Sequence, residues 1–311
     1  QNIADDNYTQ NEGETVNATG TTDTEINTAN YEEEFEGFTY SHRSPETEKI
    51  TVAGNGSTVI KMYYTRNTYA LTLNKETGIS SVTASGTGVT GTYTVRYGAT
   101  VTIKAVLASG YSFAGWTGYT VTSASSLETT FTMPASVVAL TATTSANKYT
   151  VTFNGNATDN TISINPVSKS VTYAGAFGTL ATATRTGYTL EGWYKEAGCT
   201  NKITDTTVFN ATNFTVDHTG KTSTVYAKWT EHTYTIAFNG NGSTSGEMAS
   251  ITGVKYSVAT TLTENKYERT GYTFLGWSTS STATSATYIN GQSVKNLTST
   301  NSGTVNLYAV W

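Results

Sequence analysis

Catalysis in this chain would have to begin from three histidines, one cysteine and one dense acidic run. His42, His218 and His232 stand in unrelated settings with no Asp or Ser recurring beside them, so surface histidines are the simpler reading than bases or ligands. Cys199 has no partner for a disulfide and no neighbouring histidine, and reads as an inert, partly buried thiol. Glu32-Glu33-Glu34-Phe35-Glu36 lacks the alternating Asp/Asn spacing and the glycine of a calcium loop, which leaves a solvated charged segment. No Lys, Asn and carboxylate trio recurs at strand-core positions to form an intramolecular isopeptide bond. The residue types therefore point to no enzyme, no cofactor and no metal, and the question becomes what else the pattern can do.

A glycan-binding module would need exposed aromatics, and the chain has 21 Tyr and five Trp. Trp116, Trp193, Trp229, Trp277 and Trp311 all fall at positions that recur, which is best explained by core packing; Tyr119, Tyr194 and Tyr288 remain as candidate platform residues. The recurring stretch is Arg269-Thr270-Gly271-Tyr272-Thr273-Phe274-Leu275-Gly276-Trp277. Arg185-Thr186-Gly187-Tyr188-Thr189-Leu190-Glu191-Gly192-Trp193 repeats it, as does Gly110-Tyr111-Ser112-Phe113-Ala114-Gly115-Trp116, with a fainter copy at Gly37-Phe38-Thr39-Tyr40. The Gly-aromatic pairs at 37, 110, 187 and 271 are spaced 73, 77 and 84 residues apart, the size of a small domain. Four units follow: 1–67, 68–146, 147–231 and 232–311.

The elements that carry the motif read as strands. Tyr69-Ala70-Leu71-Thr72-Leu73, Tyr149-Thr150-Val151-Thr152-Phe153 and Tyr234-Thr235-Ile236-Ala237-Phe238 alternate strictly and open the last three units. Val225-Tyr226-Ala227-Lys228-Trp229 and Leu307-Tyr308-Ala309-Val310-Trp311 close two of them. The spans Val101 to Ala105, Phe177 to Leu180 and Val258 to Leu262 allow a helical turn or two lying across the sheet. Straight alternation along the motif would put Trp277 on the face opposite Tyr272 and Phe274, so the preceding glycine is expected to be a bulge that returns the indole to the core. The expected class is mostly β with a short helix, and Gly110, Gly187, Gly271, Tyr111, Tyr188 and Tyr272 join the tryptophans as structural core.

Charge is unevenly shared. Residues 1–67 hold 12 acids against four basic residues, and each later unit carries +1. No basic surface large enough for a phosphate backbone is implied, so nucleic acid is excluded as a partner. No apolar run of transmembrane length and no signal-peptide pattern is present, and the chain starts at Gln, so export and anchoring signals are expected to lie outside it. The first unit lacks an opening strand, and Tyr31, Glu32, Glu33, Glu34 and Phe35 make it the candidate binding surface, one that would favour a basic partner.

The paired motifs, Arg-Thr-Gly-Tyr-Thr-Phe-Leu-Gly-Trp followed by Leu-Tyr-Ala-Val-Trp, resemble the internalin B-repeat, also called the Listeria–Bacteroides repeat, over 147–231 and 232–311. Residues 68–146 resemble its divergent form, and 1–67 resemble mucin-binding-protein-like modules. The resemblance implies small ubiquitin-like β-grasp domains strung as an elongated, monomeric rod on a secreted or wall-anchored bacterial surface protein. It implies an extracellular stalk or adhesin segment without catalytic residues or membrane insertion; the alternative is a module that binds a host extracellular glycoprotein or glycan.

Overall fold

The computed structural model describes residues 1–311, which form two compact units, Gln1–Asn147 and Lys148–Trp311. The chain is mostly strand. Thr, Val and Tyr at alternating positions suit a pleated, half-buried surface, and that is where they are placed.

The second unit holds two sheets with the same four-strand order, the first of which gains a short fifth strand where Val216–Asp217 pairs with the closing strand. In the first copy the strand order is Ser168–Thr172, Lys148–Asn154, Thr222–Glu231, Tyr188–Tyr194. In the second it is Ile251–Lys255, Thr233–Asn239, Thr304–Val310, Gly276–Ser278. Opening and closing strands pair in parallel at the centre, Val151 opposite Ser223 and Ile236 opposite Val305, while the motif strand joins antiparallel at the edge. Alternation sends Tyr149, Val151, Phe153, Val225 and Ala227 into one core, and Tyr234, Ile236, Phe238, Leu307 and Ala309 into the other. Each fully buried aliphatic or aromatic side chain contributes about 1.5–3 kcal/mol.

Residues 68–146 keep the same centre and elaborate it. The motif strand Tyr111–Thr117 pairs with Val138–Ala146, which runs parallel to Thr68–Lys75. A second sheet of Ile79–Ser85, Thr100–Leu107 and Glu128–Thr132 covers the core. The expected helical turns are not formed. Val101, Ile103 and Ala105 point to one side of the strand Thr100–Leu107, whose period is two, and Val258 to Leu262 carries only the short strand Thr260–Thr261. The only helical elements are two 3-10 turns, Glu12–Glu14 and Thr28–Tyr31, both in the first 67 residues.

That first segment differs from the rest. It contains two interleaved antiparallel pairs, Glu25–Asn27 with Lys49–Thr51 and Phe38–Ser44 with Lys61–Arg66, and no cluster of buried apolar side chains. Edge-on aromatic contacts join Tyr64 to Phe35 and Tyr40, and Tyr8 to Tyr63. Ile3 packs instead on the core of residues 68–146, and Arg96 ties the N-terminal stretch down through Asp6 at 2.6 Å.

Gly115 and Gly192, each just before a motif tryptophan, follow the extra residue of a β-bulge, Ala114 or Glu191. Register slips by one residue between Phe113 and Gly115 and between Leu190 and Gly192. Gly115, Gly192 and Gly276 adopt φ of +144°, +146° and +140°, a conformation that L side chains rarely reach. The extra residue turns the indole back onto the face of the preceding apolar residue: Phe113 meets Trp116 and Phe274 meets Trp277, with ring centroids 5.9 and 5.0 Å apart. Trp116, Trp193 and Trp277 are buried. Trp229 and Trp311 are half-buried, and their indole N–H groups donate to the Gly155 and Gly240 carbonyls of the Asn-Gly-Asn turns that follow the opening strands.

Replacing Trp193 or Trp277 with Ala should cost its repeat about 3–5 kcal/mol, read by denaturant unfolding with hydrogen exchange assigning the loss. Trp193 Nε1–H donates to the Ala181 carbonyl at 2.8 Å, whereas Trp277 Nε1–H is buried with no acceptor. Trp193→Phe should therefore be worse than Trp277→Phe by about 1–3 kcal/mol, because only the former strands a buried carbonyl.

Candidate interaction surfaces

The most organised polar and aromatic clusters are the joints between successive repeats. In the second unit, His232 links the two sheets: its N–H donates to the Gly187 carbonyl at 2.8 Å, and its own carbonyl accepts from Tyr256 N–H at 3.0 Å. Its ring continues the link. Nδ1 donates to the Ser299 carbonyl at 2.7 Å, which leaves Nε2 facing Thr189 Oγ1 at 2.8 Å. Glu231 Oε1 accepts from the Ser257 backbone N–H and hydroxyl at 2.7 and 2.5 Å.

Beneath these bonds the Tyr256 ring lies against the motif glycine. A Cβ built on Gly187 would stand 2.1 Å from Tyr256 Cδ1, so the ring occupies the volume a side chain would need. Tyr188 meets Tyr256 edge-on at 6.3 Å, and the Arg185 guanidinium stacks over Tyr188 at 3.6 Å. The first unit contains the same joint. Asn67 N–H donates to the Gly37 carbonyl at 2.8 Å, the Asn67 carbonyl accepts from Tyr97 at 2.9 Å, and a Cβ on Gly37 would meet the Tyr97 ring at 2.2 Å. Phe38 meets Tyr97 edge-on at 5.8 Å under Arg66 at 4.6 Å, and Thr39 donates to the Asn67 side chain as Thr189 faces His232. At the end of that unit Asn147 N–H donates to the Gly110 carbonyl at 2.9 Å and Ser112 to the Asn147 side chain at 2.5 Å.

Two residues expected in the core thus serve a joint: Gly187 is buried there and Tyr188 is half-buried, while Gly110 is buried and Tyr111 is half-buried against Gly78 of its own repeat. Tyr272 is 58% exposed and nothing lies within 4 Å of a Cβ built on Gly271, so neither is core within its own repeat. The junction residues Asn67, Asn147 and His232 were not singled out as an interface; the signal was the shared placement of an Asn or His two residues before the opening Tyr69, Tyr149 and Tyr234.

The remaining candidates are dispersed. Tyr31, Glu32, Glu33 and Glu34 are exposed and Phe35 is half-buried against Tyr64; Glu32 pairs with Arg43 at 2.8 Å, and Tyr64 Oη accepts from Glu33 N–H at 3.0 Å. The three sugar-platform candidates do not make a platform: Tyr194 is buried, Tyr288 packs on the core beside Trp277, and Tyr119 leans edge-on against Phe131. His42 stacks on Tyr63, and His218 Nδ1 lies 2.6 Å from the Tyr149 hydroxyl. Burial pushes the Cys199 thiol above its ordinary pKa, away from thiolate chemistry. No three His, Cys, Asp or Glu side chains converge on a metal site, and no helix is long and apolar enough to cross a membrane.

Residues 77–148 match the family described as the divergent InlB B-repeat domain, and residues 149–228 and 234–310 match the Listeria-Bacteroides repeat domain. Two Evansella cellulosilytica proteins are similar in sequence. One, named "Putative membrane protein", is 28% identical over 55% of this chain and 24% of its own length. The other, named "Putative Gly-rich membrane protein", is 29% identical over 54% of this chain and 19% of its own length. The matched region is thus about a quarter or less of those relatives. The solved structure of the Bacillus anthracis TIE protein overlaps 86% of this chain and 56% of its own at 10% identity with a TM-score of 0.30, too shallow an overlap to argue fold from.

Gly271→Ala should cost about 1 kcal/mol of left-handed backbone strain, since nothing lies within 4 Å of the added carbon. Gly187→Ala should cost that plus about 1–3 kcal/mol for displacing Tyr256, measured as faster hydrogen exchange at residues 229–235 and 254–257. Acid should loosen the same joint. Partial burial works against the Glu231 carboxylate, but the two Ser257 hydrogen bonds and the Lys255 and Arg185 charges outweigh it and hold its pKa below the ordinary glutamate value. The stability Glu231 adds is then complete above that ordinary value and lost as pH falls through the lower folded one, so exchange at Ser257 should accelerate there and Glu231→Gln should flatten the dependence.

Proposed function

Because this chain belongs to the Listeria-Bacteroides repeat family, we propose that it is a non-catalytic stalk segment of a bacterial cell-surface protein, outside the cell, that spaces or displays an adhesive region. The observation that carries this reading is the joint: the same glycine, aromatic and arginine grouping receives the next repeat's tyrosine in both units, fastening neighbours with buried backbone hydrogen bonds instead of a free linker. A stalk needs stiffness at its junctions and sameness between its parts, and junctions this short supply both. The sheet order, with opening and closing strands parallel at the centre, supports a β-grasp assignment in which loops and strands stand where the grasp helix would lie. Four units of roughly 30 Å each, from the usual size scaling, would make a monomeric rod of about 120 Å. Small-angle scattering should return that length; a compact, globular profile would overturn the stalk.

A second reading has one observation in its favour, the exposed carboxylates of Glu33 and Glu34 beside Tyr31 in a segment whose net charge is opposite to that of its neighbours. Such a surface would bind a basic region of a host extracellular protein, or a glycoprotein carrying one, and would do so faster at low salt. Glu33→Gln with Glu34→Gln and Glu36→Gln in the full chain should then weaken adhesion to a basic matrix protein several-fold at low ionic strength and leave it unchanged at high. Adhesion that neither the substitutions nor salt alters would eliminate this reading.

A further inference from the structure

Residues 2–7 form a compact loop that closes on itself. Asn2 N–H donates to the Asn7 carbonyl at 2.9 Å, and the Asp5 carboxylate accepts from Asn7 N–H at 2.9 Å and from the Asn2 side-chain amide at 3.1 Å. The loop wraps a guanidinium that belongs to the next repeat. Arg96 donates through Nη1 to the carbonyls of Asn2, Ile3 and Asp5 and through Nη2 to the Asp6 carboxylate at 2.6 Å, while Arg66 Nε donates to the Gln1 carbonyl at 3.2 Å. Ile3 supplies the apolar contact. A Cβ built on Gly88 would stand 3.0 Å from Ile3 Cγ2 and 3.4 Å from Ala99 Cβ, so both side chains share the space over a bare glycine at the edge of the 68–146 core. Tyr8 completes the plug, edge-on against Tyr63 at 5.2 Å, and Thr9 donates back to the Asn2 side chain at 2.8 Å. The stretch that follows is held by little: residues 10–18 are exposed throughout, and Gln10, Glu14 and Thr15 donate only to Thr15, Asn11 and Glu12.

We propose that the seat formed by Arg96, Gly88 and Tyr63 is an exchange site between copies of this chain, in which residues 1–9 of one copy fill the seat of a second. The chemistry of the seat names the partner. It offers a guanidinium to a ring of carbonyls and a carboxylate, and a bare glycine to a branched aliphatic side chain; a second copy carries that complement already folded by its own hydrogen bonds, so little order has to be gained on transfer. Every contact of the closed form is remade in the exchanged pair, and what separates the two forms is the entropy of the tether. Residues 10–19 reach up to about 33 Å when extended. A short flexible tether gives the chain's own plug an effective concentration of about 1 mM, so exchange sets in where copies are crowded to that density, and a dilute chain stays closed and monomeric. The inference rests on contacts within residues 1–100 and is independent of the proposed stalk function.

The test uses two full-length variants, each missing one half of the contact. Ile3→Asp with Asp6→Ala spoils the plug and leaves the seat; Arg96→Asp spoils the seat and leaves the plug. In the first, isotopically labelled, the Arg96 guanidinium and Ala99 methyl resonances should move away from their wild-type positions. Adding the second, unlabelled, at about 1 mM should return them at least half of the way. A chain carrying all three substitutions should return neither. A peptide of residues 1–9 should act as the Arg96→Asp chain does, which keeps the test decisive if that variant does not fold. Resonances that stay displaced with both partners, while the labelled copy's amides at 101–105 remain slow to exchange, would overturn the proposal, as would an equal return by the triple variant. A return produced by the peptide but not by a folded Arg96→Asp chain would make the seat purely intramolecular and overturn it as well.

Discussion

A tyrosine ring lying where a glycine has no side chain is the contact on which the arrangement of neighbouring repeats depends. Two requirements meet at that glycine. Its left-handed backbone starts the motif strand, and its missing Cβ admits the ring of the next repeat. The polar groups at the joint are arranged around this close approach: Asn67 and His232 each bridge the glycine carbonyl to the tyrosine N–H, and their side chains bond the motif Thr39 and Thr189. A joint of this kind resists bending because loosening it would expose backbone groups and a ring edge together.

The second motif glycine, five residues on, solves a different problem. A strand that kept its period of two would push a tryptophan to the solvent side; one inserted residue, Ala114 or Glu191, followed by a glycine at φ near +145° corrects the phase and lets the largest side chain anchor the core. One short motif therefore specifies both the interior of a repeat and its attachment to the next. Its recurrence at domain-sized intervals follows from that double duty.

Much of this was legible from residue order. Strict alternation at Tyr149 to Phe153 and at Tyr234 to Phe238 announced half-buried strands, and the clash between alternation and a recurring tryptophan announced the bulge. The role of Gly187 was not legible, because a glycine reserved for a turn and one reserved for a neighbour's ring look identical in sequence, and the neighbour lies 69 positions away at Tyr256. Tyr272 shows the limit most plainly: it matches Tyr188 residue for residue yet is exposed, since burial of this position comes from the following repeat and not from its own. The helical turns expected near Val101 failed for a simpler reason. Sparse apolar residues over so short a span suit either period, and the second sheet of residues 68–146 takes Val101, Ile103 and Ala105 at spacing two. For residues 1–67, composition advertises charge and aromatics, while the scarcity of aliphatic side chains leaves that segment without a buried cluster.

The central claim is that Gly187 and Tyr256 exclude one another's volume, and a double-mutant cycle isolates it. With Tyr256→Ala as background, the space beside Gly187 is vacated. Gly187→Ala should then cost only about 1 kcal/mol of backbone strain, against about 2–4 kcal/mol in the presence of the ring, a coupling of about 1–3 kcal/mol read from exchange at the joint. Equal costs in both backgrounds would mean that the ring and the glycine act independently, and that the repeats are fastened by something other than this contact.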